Sequence, residues 1–167
     1  MENGQIEAIW IKRAKRGPMD AVAQAEMVAG KGLVGNANQG GRRQVTILDA
    51  TVWERIMEEF GATIDPSTRR ANIMVRGLEL ANTRKRILLL DECRVRIFTE
   101  TKPCERMDEI LPGLKVALYK NWAGGASGQR EFDKIEPVLK AIADTKIRHS
   151  KAERLKSHKA NLFKVSE

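Results

Sequence analysis

The apolar and polar positions of this chain mostly alternate over short stretches, and short stretches of that kind predict strands. Ile6 to Lys12 is apolar and β-branched, with Trp10 in its middle, and reads as a strand. Lys12-Arg13-Ala14-Lys15-Arg16-Gly17-Pro18 then breaks it with a basic loop. The apolar stretch Val22 to Val28 leads into a polar segment with five glycines between positions 30 and 41, which leaves no room for a regular element. Val45 to Leu48 reads as a strand. Thr51 with Glu54 three residues later makes a capping box. Val52, Ile56 and Phe60 share one face of the helix that follows, and Gly61 stops it.

After the turn at Asp65-Pro66-Ser67, Ala71 to Val75 reads as a strand and Gly77 as a bend. Arg86 to Leu90 and Arg94 to Phe98 flank Asp91-Glu92 as the arms of a hairpin, although Asp-Glu is not a favoured two-residue turn. In its second arm Cys93, Val95 and Ile97 alternate with Arg94, Arg96 and Phe98, which puts Cys93 on the apolar face. Met107 to Tyr119 has a helical pattern interrupted by Pro112-Gly113, and so predicts two short helices. Several short strands with few helices between them predict a mainly β fold, a barrel or sandwich rather than a doubly wound sheet.

Length and composition narrow this reading. A chain of 167 residues is one ordinary domain, with room for an appendage. No run of eighteen apolar residues occurs, so no membrane-spanning helix is expected. Two cysteines cannot frame a domain of this size with disulfides. The N-terminus has no apolar signal core, and the expectation is a reduced, cytoplasmic protein. The net charge of +8 is concentrated late: from Arg130 onward the chain carries ten basic and six acidic residues. Such a balance speaks for anionic partners in general and for no particular ligand.

Cys104 is the residue with most chemistry to offer. It stands in Glu100-Thr101-Lys102-Pro103-Cys104-Glu105-Arg106-Met107-Asp108. Pro103 favours extended geometry before it and suits the first position of a helix, which predicts a strand-to-helix junction at the cysteine. Unpaired N–H groups at such a junction favour a thiolate, and Lys102 and Arg106 add positive charge. A thiolate there can bind a soft metal, carry sulfur or attack an electrophile. The alternative is a small buried residue in a loop.

Four places in the sequence, in order and spacing, resemble the MOSC domain, the module named for the C-terminal part of molybdenum cofactor sulfurase. They are Gly30-Lys31-Gly32-Leu33-Val34-Gly35-Asn36 running into Gly40-Gly41-Arg42-Arg43-Gln44-Val45; Arg69-Arg70-Ala71-Asn72-Ile73 with Gly77 after it; Glu100 to Met107 with Pro112-Gly113-Leu114; and Trp122-Ala123-Gly124-Gly125. The resemblance covers roughly residues 5 to 126 and implies a MOSC-like β-barrel with a few short helices. It implies a pocket around the family's cysteine, which falls on Cys104. In the sulfurases the domain is associated with binding the molybdenum cofactor (molybdopterin). In related reductases the cysteine is a thiolate ligand of molybdenum. Stand-alone members are linked to reduction of N-hydroxylated compounds, and a sulfur-carrier role with a persulfide on the cysteine has been proposed.

Those implied roles make chemical sense for particular residues. Thiolate sulfur at Cys104 suits a soft or borderline metal. The glycine loop, with Gly40 and Gly41, can offer N–H groups to a phosphate, and Arg42, Arg43 and Arg70 can grip it in bidentate fashion. Asn72 can hydrogen-bond a pterin edge. Lys102 completes the candidate cofactor-binding set. Pyridoxal phosphate belongs to the desulfurase half of the fused sulfurases, and none is expected on this chain.

The sequence departs from the family pattern in two places. Many members carry an Asp and a His in the glycine loop; here Asn38 and Gln39 stand instead, and neutral amides replace a carboxylate and a base. After Gly125, where the family continues with β structure, Phe132, Ile135, Leu139 and Ile142 form a helical pattern, and Leu155 and Leu162 extend a sparse stripe among lysines and arginines. The expected organisation is a barrel domain over residues 1–129 and a basic helical tail over 130–167. Either the barrel closes differently in this chain or its final strand is lost; an open barrel would leave an edge for the tail to cover.

Three functions remain open at this stage. The leading one is a molybdenum-cofactor enzyme or cofactor-handling domain with Cys104 as metal ligand and catalytic residue, acting on a small-molecule substrate and needing a redox partner. The second is a sulfur carrier with a persulfide on Cys104 and a sulfur-donor protein as partner. The third is a non-enzymatic module that uses the basic tail. Nucleic-acid contact by that tail is not favoured, because it lacks an aromatic stacking array.

Overall fold

The computed structural model describes residues 4–131 and the strands at 138–140 and 147–148. Strand β1 (Gln5–Ile11) buries Ile6, Ile9, Trp10 and Ile11. The Val22-to-Val28 stretch divides into β2 (Asp20–Val22) and β3 (Gln24–Val28). The glycine-rich segment holds one regular piece after all, β4 (Gly32–Leu33), which pairs with β3 because Leu33 is drawn fully into the core beside Met27.

Strand β5 (Val45–Asp49) runs directly into helix α1 (Ala50–Phe60). The helix starts earlier than the capping box predicts. Asp49, not Thr51, is the N-cap: its carboxylate accepts from the N–H groups of Thr51 and Val52. Gly61 takes the left-handed conformation and closes the helix as expected. A single 3-10 turn, Pro66–Arg69, leads to β6 (Ile73–Arg76), which lies parallel to β5; all other strand pairs are antiparallel. The hairpin of β7 (Ile87–Leu90) and β8 (Cys93–Glu100) forms around Asp91-Glu92, where Asp91 adopts φ 55°. Cys93, Val95 and Ile97 face the core, at 0–1% exposure.

Met107 to Tyr119 is two helices, α2 (Arg106–Ile110) and α3 (Leu114–Tyr119), broken at Pro112-Gly113. Strand β9 (Ala126–Arg130) follows. The tail differs from its helical pattern. Val138–Lys140 forms β10, antiparallel to β3, and Ile147–Arg148 forms β11, antiparallel to β7. Edge strands with open hydrogen-bonding groups capture these residues, and that pairing outweighs a sparse helical stripe. The rest of that stripe, Phe132, Ile135, Ile142, Leu155 and Leu162, lies outside the described residues.

The strands make an eight-stranded curled sheet, in the order β11-β7-β8-β9-β5-β6-β1-β2, and a three-stranded sheet β10-β3-β4. Register shifts between Ile6 and Ala8 and between Ile97 and Thr99 mark irregularities that help the long strands bend. Inside the curl, Ile6, Ile9, Met27, Leu33, Ile47, Ile73, Val95 and Ile97 form the main core. Arg130 ties the two sheets together: its Nη1 donates to the Met27 carbonyl oxygen at 2.8 Å. A second core, with Leu48, Trp53, Ile56, Met107, Leu114 and Leu118, packs the three helices together. No helix among the described residues is long and apolar enough to cross a membrane.

Candidate active site

The site begins with a pair of arginines on a turn. Asp65 caps the 3-10 turn by accepting from Ser67 N–H at 2.8 Å, and Arg70 ends it at φ 64°. This reversal sends two adjacent arginines into different surroundings. Arg69 is 5% exposed, whereas Arg70 is half-buried. Arg69 Nη2 donates to the carbonyl oxygens of Thr101 and Gly124, each at 2.7 Å. Thr101 N–H donates to Gly125 O at 2.7 Å. Gly124 must be glycine, since a Cβ there would run into the Thr101 carbonyl oxygen and come to 3.0 Å of Arg69 Nη2. The segment that carries Cys104 is thereby tied to the Trp122–Gly125 turn.

Cys104 is exposed, and Pro103 before it is buried. The expected helix start is displaced: α2 begins at Arg106, with Glu105 as its N-cap, so Pro103 is not the first helical residue. Proline requires only a compatible φ there, and residues 101–104 belong to no regular element. The Cys104 carbonyl accepts from Met107 N–H at 3.0 Å.

A cleft of about 220 Å³ opens beside the sulfur. Its wall holds six cationic side chains, Lys12, Arg43, Arg69, Arg70, Lys102 and Arg106, and, among the described residues, no Asp or Glu. Asn36, Asn38, Thr46, Asn72, Met19 and Met107 complete it. The cations crowd one another. Burial lowers the pKa of Lys12, and the charges of Arg70 and Arg43 lower it further. Burial also lowers those of Arg43 and Arg70, partly opposed by the negative charge available at Cys104. Arg69 falls to about 10, chiefly by burial and then by Arg43, so it remains charged at neutral pH. The Nε of Arg69 and the Oγ1 of Thr101 are buried without a hydrogen-bond partner. Buried donors of that kind are rare unless a ligand or water completes them. The lining of the cleft is strongly cationic.

Of the residues singled out by sequence, Cys104, Arg43, Arg70, Asn72 and Lys102 meet at this cleft. Lys102 stands at its rim, 4.0 Å from the Glu100 carboxylate and 5.8 Å from the Tyr119 ring centre. Gly40, Gly41 and Arg42 do not line it. Arg42 lies over the Phe98 ring at 5.5 Å, a cation–π contact that draws it away. The Gly40 N–H donates to Lys31 O at 2.7 Å, and the Gly41 carbonyl accepts from Gln44 Nε2, so these residues spend backbone groups on their own loop. Asn72 also differs from its expected role. Its Nδ2 donates to Trp10 O and Asn36 Oδ1, and its Oδ1 accepts from Thr46 N–H and Oγ1–H. A saturated amide holds the floor of the cleft and has nothing left for a pterin edge.

The substituted pair in the glycine loop is structural as well. Gln39 Nε2 donates to the carbonyls of Leu33 and Asn36, at 2.7 and 2.9 Å, and Asn38 Oδ1 accepts from Lys12 Nζ at 3.1 Å. Sequence reasoning passed over Lys12, Asn36, Thr46, Met19 and the buried role of Arg69. Lys12 gave one signal, its place at the end of the first strand, where a side chain turns from core to rim.

Comparison of folds places this arrangement among known structures. YuaD from Bacillus subtilis superposes with a TM-score of 0.67 at 16% identity, over 87% of this chain and 93% of that one. YiiM from Geobacillus stearothermophilus gives 0.64 at 16% identity, over 87% and 75% of the two chains. YiiM from Escherichia coli gives 0.62 at 12% identity, over 86% and 68%. The fold is MOSC-like. No family model and no curated protein sequence matches the chain.

Proposed function

We propose that the chain binds a molybdenum cofactor in this cleft, with the Cys104 sulfur as a metal ligand, and works as a reductase-type or cofactor-handling protein. The observation that carries the reading is the pairing of an exposed thiol with six surrounding cations and, among the described residues, no lining carboxylate. The donor set fits such a group: thiolate is the soft ligand, and Arg43, Arg69, Arg70 and Lys12 suit a phosphate-bearing, anionic pterin. Bound there, the cofactor would supply two-electron redox chemistry. Arg69 fixes the Cys104 segment, Met107 presents an apolar wall, and Asn72 keeps the floor rigid. A small N-hydroxylated compound is the proposed substrate class, with electrons from a separate redox protein.

The test is molybdenum content by elemental analysis of protein made in cofactor-competent cells. The wild type should hold close to one molybdenum per chain, and Cys104→Ser, checked for native circular dichroism, should hold none. Equal metal in both proteins would remove Cys104 as the ligand.

A second reading has its own support in the exposure of Cys104. An accessible thiol among cations can carry a persulfide without any metal.

A further inference from the structure

Cys104 and its cations also define the surroundings of a nucleophile. An exposed sulfur stands in a small cleft whose charged side chains are all positive, and the buried Nε–H of Arg69 in its wall is given to nothing. The electrophile that fits is a small anion, reacting at a soft atom and releasing an anionic leaving group. Two chemistries meet the charge requirement, and the lining decides between them. Displacement on a phosphate ester expels an alkoxide that needs a proton from a general acid. No Asp, Glu or His lines this cleft among the described residues; Glu105 is paired with Lys115, and Glu109 faces an adjoining cavity. Displacement on a sulfane sulfur expels sulfite, which needs no proton.

We propose that Cys104 accepts sulfur from a small anionic sulfane donor of the thiosulfate type. The proposal rests, like the reading above, on Cys104 being the reacting group of the cleft, and it names the donor class for the persulfide form. The thiolate forms a bond to the outer sulfur of thiosulfate. The bond between that sulfur and the sulfonate sulfur breaks, and its electron pair leaves on sulfite. The cysteine sulfur is formally oxidised and the sulfonate sulfur reduced, and a persulfide anion remains on Cys104. Charge and atoms balance with no further oxidant, reductant or proton. The Arg43 and Arg70 guanidinium groups, which line the cleft, are donors for the sulfonate oxygens as charge builds on them. A volume of about 220 Å³ suits a reagent of this size.

The experiment uses the full chain made in cells that cannot synthesise molybdenum cofactor, with thiosulfate as the probe. Sulfite release and the mass of the Cys104-containing peptide are followed together. The expected result is one added sulfur atom and one sulfite per chain, neither seen in Cys104→Ser. Arg43→Met, a change at an exposed side chain, should slow the reaction by about one to two orders of magnitude. The same variant should slow transfer from an uncharged organic trisulfide by a clearly smaller factor, since that donor carries no sulfonate for the guanidinium to hold. No sulfite and no mass gain from folded protein would overturn the proposal, as would an unchanged thiosulfate rate in Arg43→Met. Molybdenum content of protein from cofactor-competent cells separates the two readings. Sulfur transfer by a chain that never takes up metal would sink the cofactor reading alone; a metal-loaded chain whose metal-free form transfers no sulfur would sink this one alone.

Discussion

The guanidinium of Arg69 donates to the carbonyl oxygen of Thr101 at 2.7 Å, across 32 residues of chain. Through the same Nη2 it reaches Gly124 O, so one buried charge joins the turn before β6, the Cys104 segment and the turn before β9. That joint fixes one side of the cleft, while Asn36 of the glycine loop, bonded to Lys12 N–H and Asn72 Nδ2, fixes another.

Arg69→Met should therefore lower stability by about 2–4 kcal/mol, since two buried carbonyls lose their donor. Arg69→Lys should cost less, because an ammonium keeps the charge but not the planar fork. Urea unfolding of the three proteins measures both. A methionine variant as stable as the wild type would show that the guanidinium ties nothing together.

The two cysteines should behave differently toward an anionic aromatic disulfide. Cys104 is exposed among cations, and Cys93 has no accessible surface beside Met27 and the core. Native protein should release one equivalent of chromophore rapidly and a second only on unfolding. Added salt should slow the rapid phase, because the attraction of the cleft for the reagent is screened. A rate independent of salt would mean that the cations do not act on the thiol's partners.

The cap of α1 gives a pH prediction. Burial raises the Asp49 pKa above 3.8, against the two backbone donors that favour its charged form. The folded state thus holds this proton more tightly than the unfolded chain. Its contribution to stability is complete below about 3.8 and is lost as pH rises through the higher folded value. Asp49→Asn keeps an acceptor for Thr51 and Val52 without a buried charge, and should match or exceed the wild type at pH 7. Asp49→Ala should lose about 1 kcal/mol. Thermal melts from pH 3 to pH 7 will separate the variants; the asparagine variant should lack the wild-type slope.

The strands were legible wherever apolar residues alternate, as at Cys93, Val95 and Ile97, because one face of a curled sheet must be dry. What the sequence hid has physical causes. Asp49 and Thr51 are both good caps, and only the end of β5 decides between them. Arg69 and Arg70 look alike in sequence, yet a left-handed residue at the end of a turn puts one inside and the other at a rim. Arg42 and Arg43 are likewise equivalent on paper until Phe98 takes the first. Asn72 is expected from sequence to meet a pterin edge, but its four partners come from positions 10, 36 and 46, which no local pattern connects. The tail misled because a few spaced apolar residues suit a helix or an edge strand equally, and the partner edges on β3 and β7 are far away in sequence.

Those edges lead to a final prediction. Val138–Lys140 pairs with Gln24–Glu26, and Ile147–Arg148 with Leu89–Leu90. Ending the chain after Glu131 removes both partners and leaves two open strand edges, one of them in the hydrophobic run Ile87–Leu90. Lost ladder bonds at about 1 kcal/mol each should cost a few kcal/mol in all. The exposed edges should also pair between molecules. The shortened chain should unfold at lower urea and show concentration-dependent association in sedimentation. Leu89→Lys, placed on the freed β7 edge, should reduce that association without restoring stability. A truncated protein that stays monomeric and equally stable would mean that β10 and β11 close nothing, and that the barrel is complete at β9.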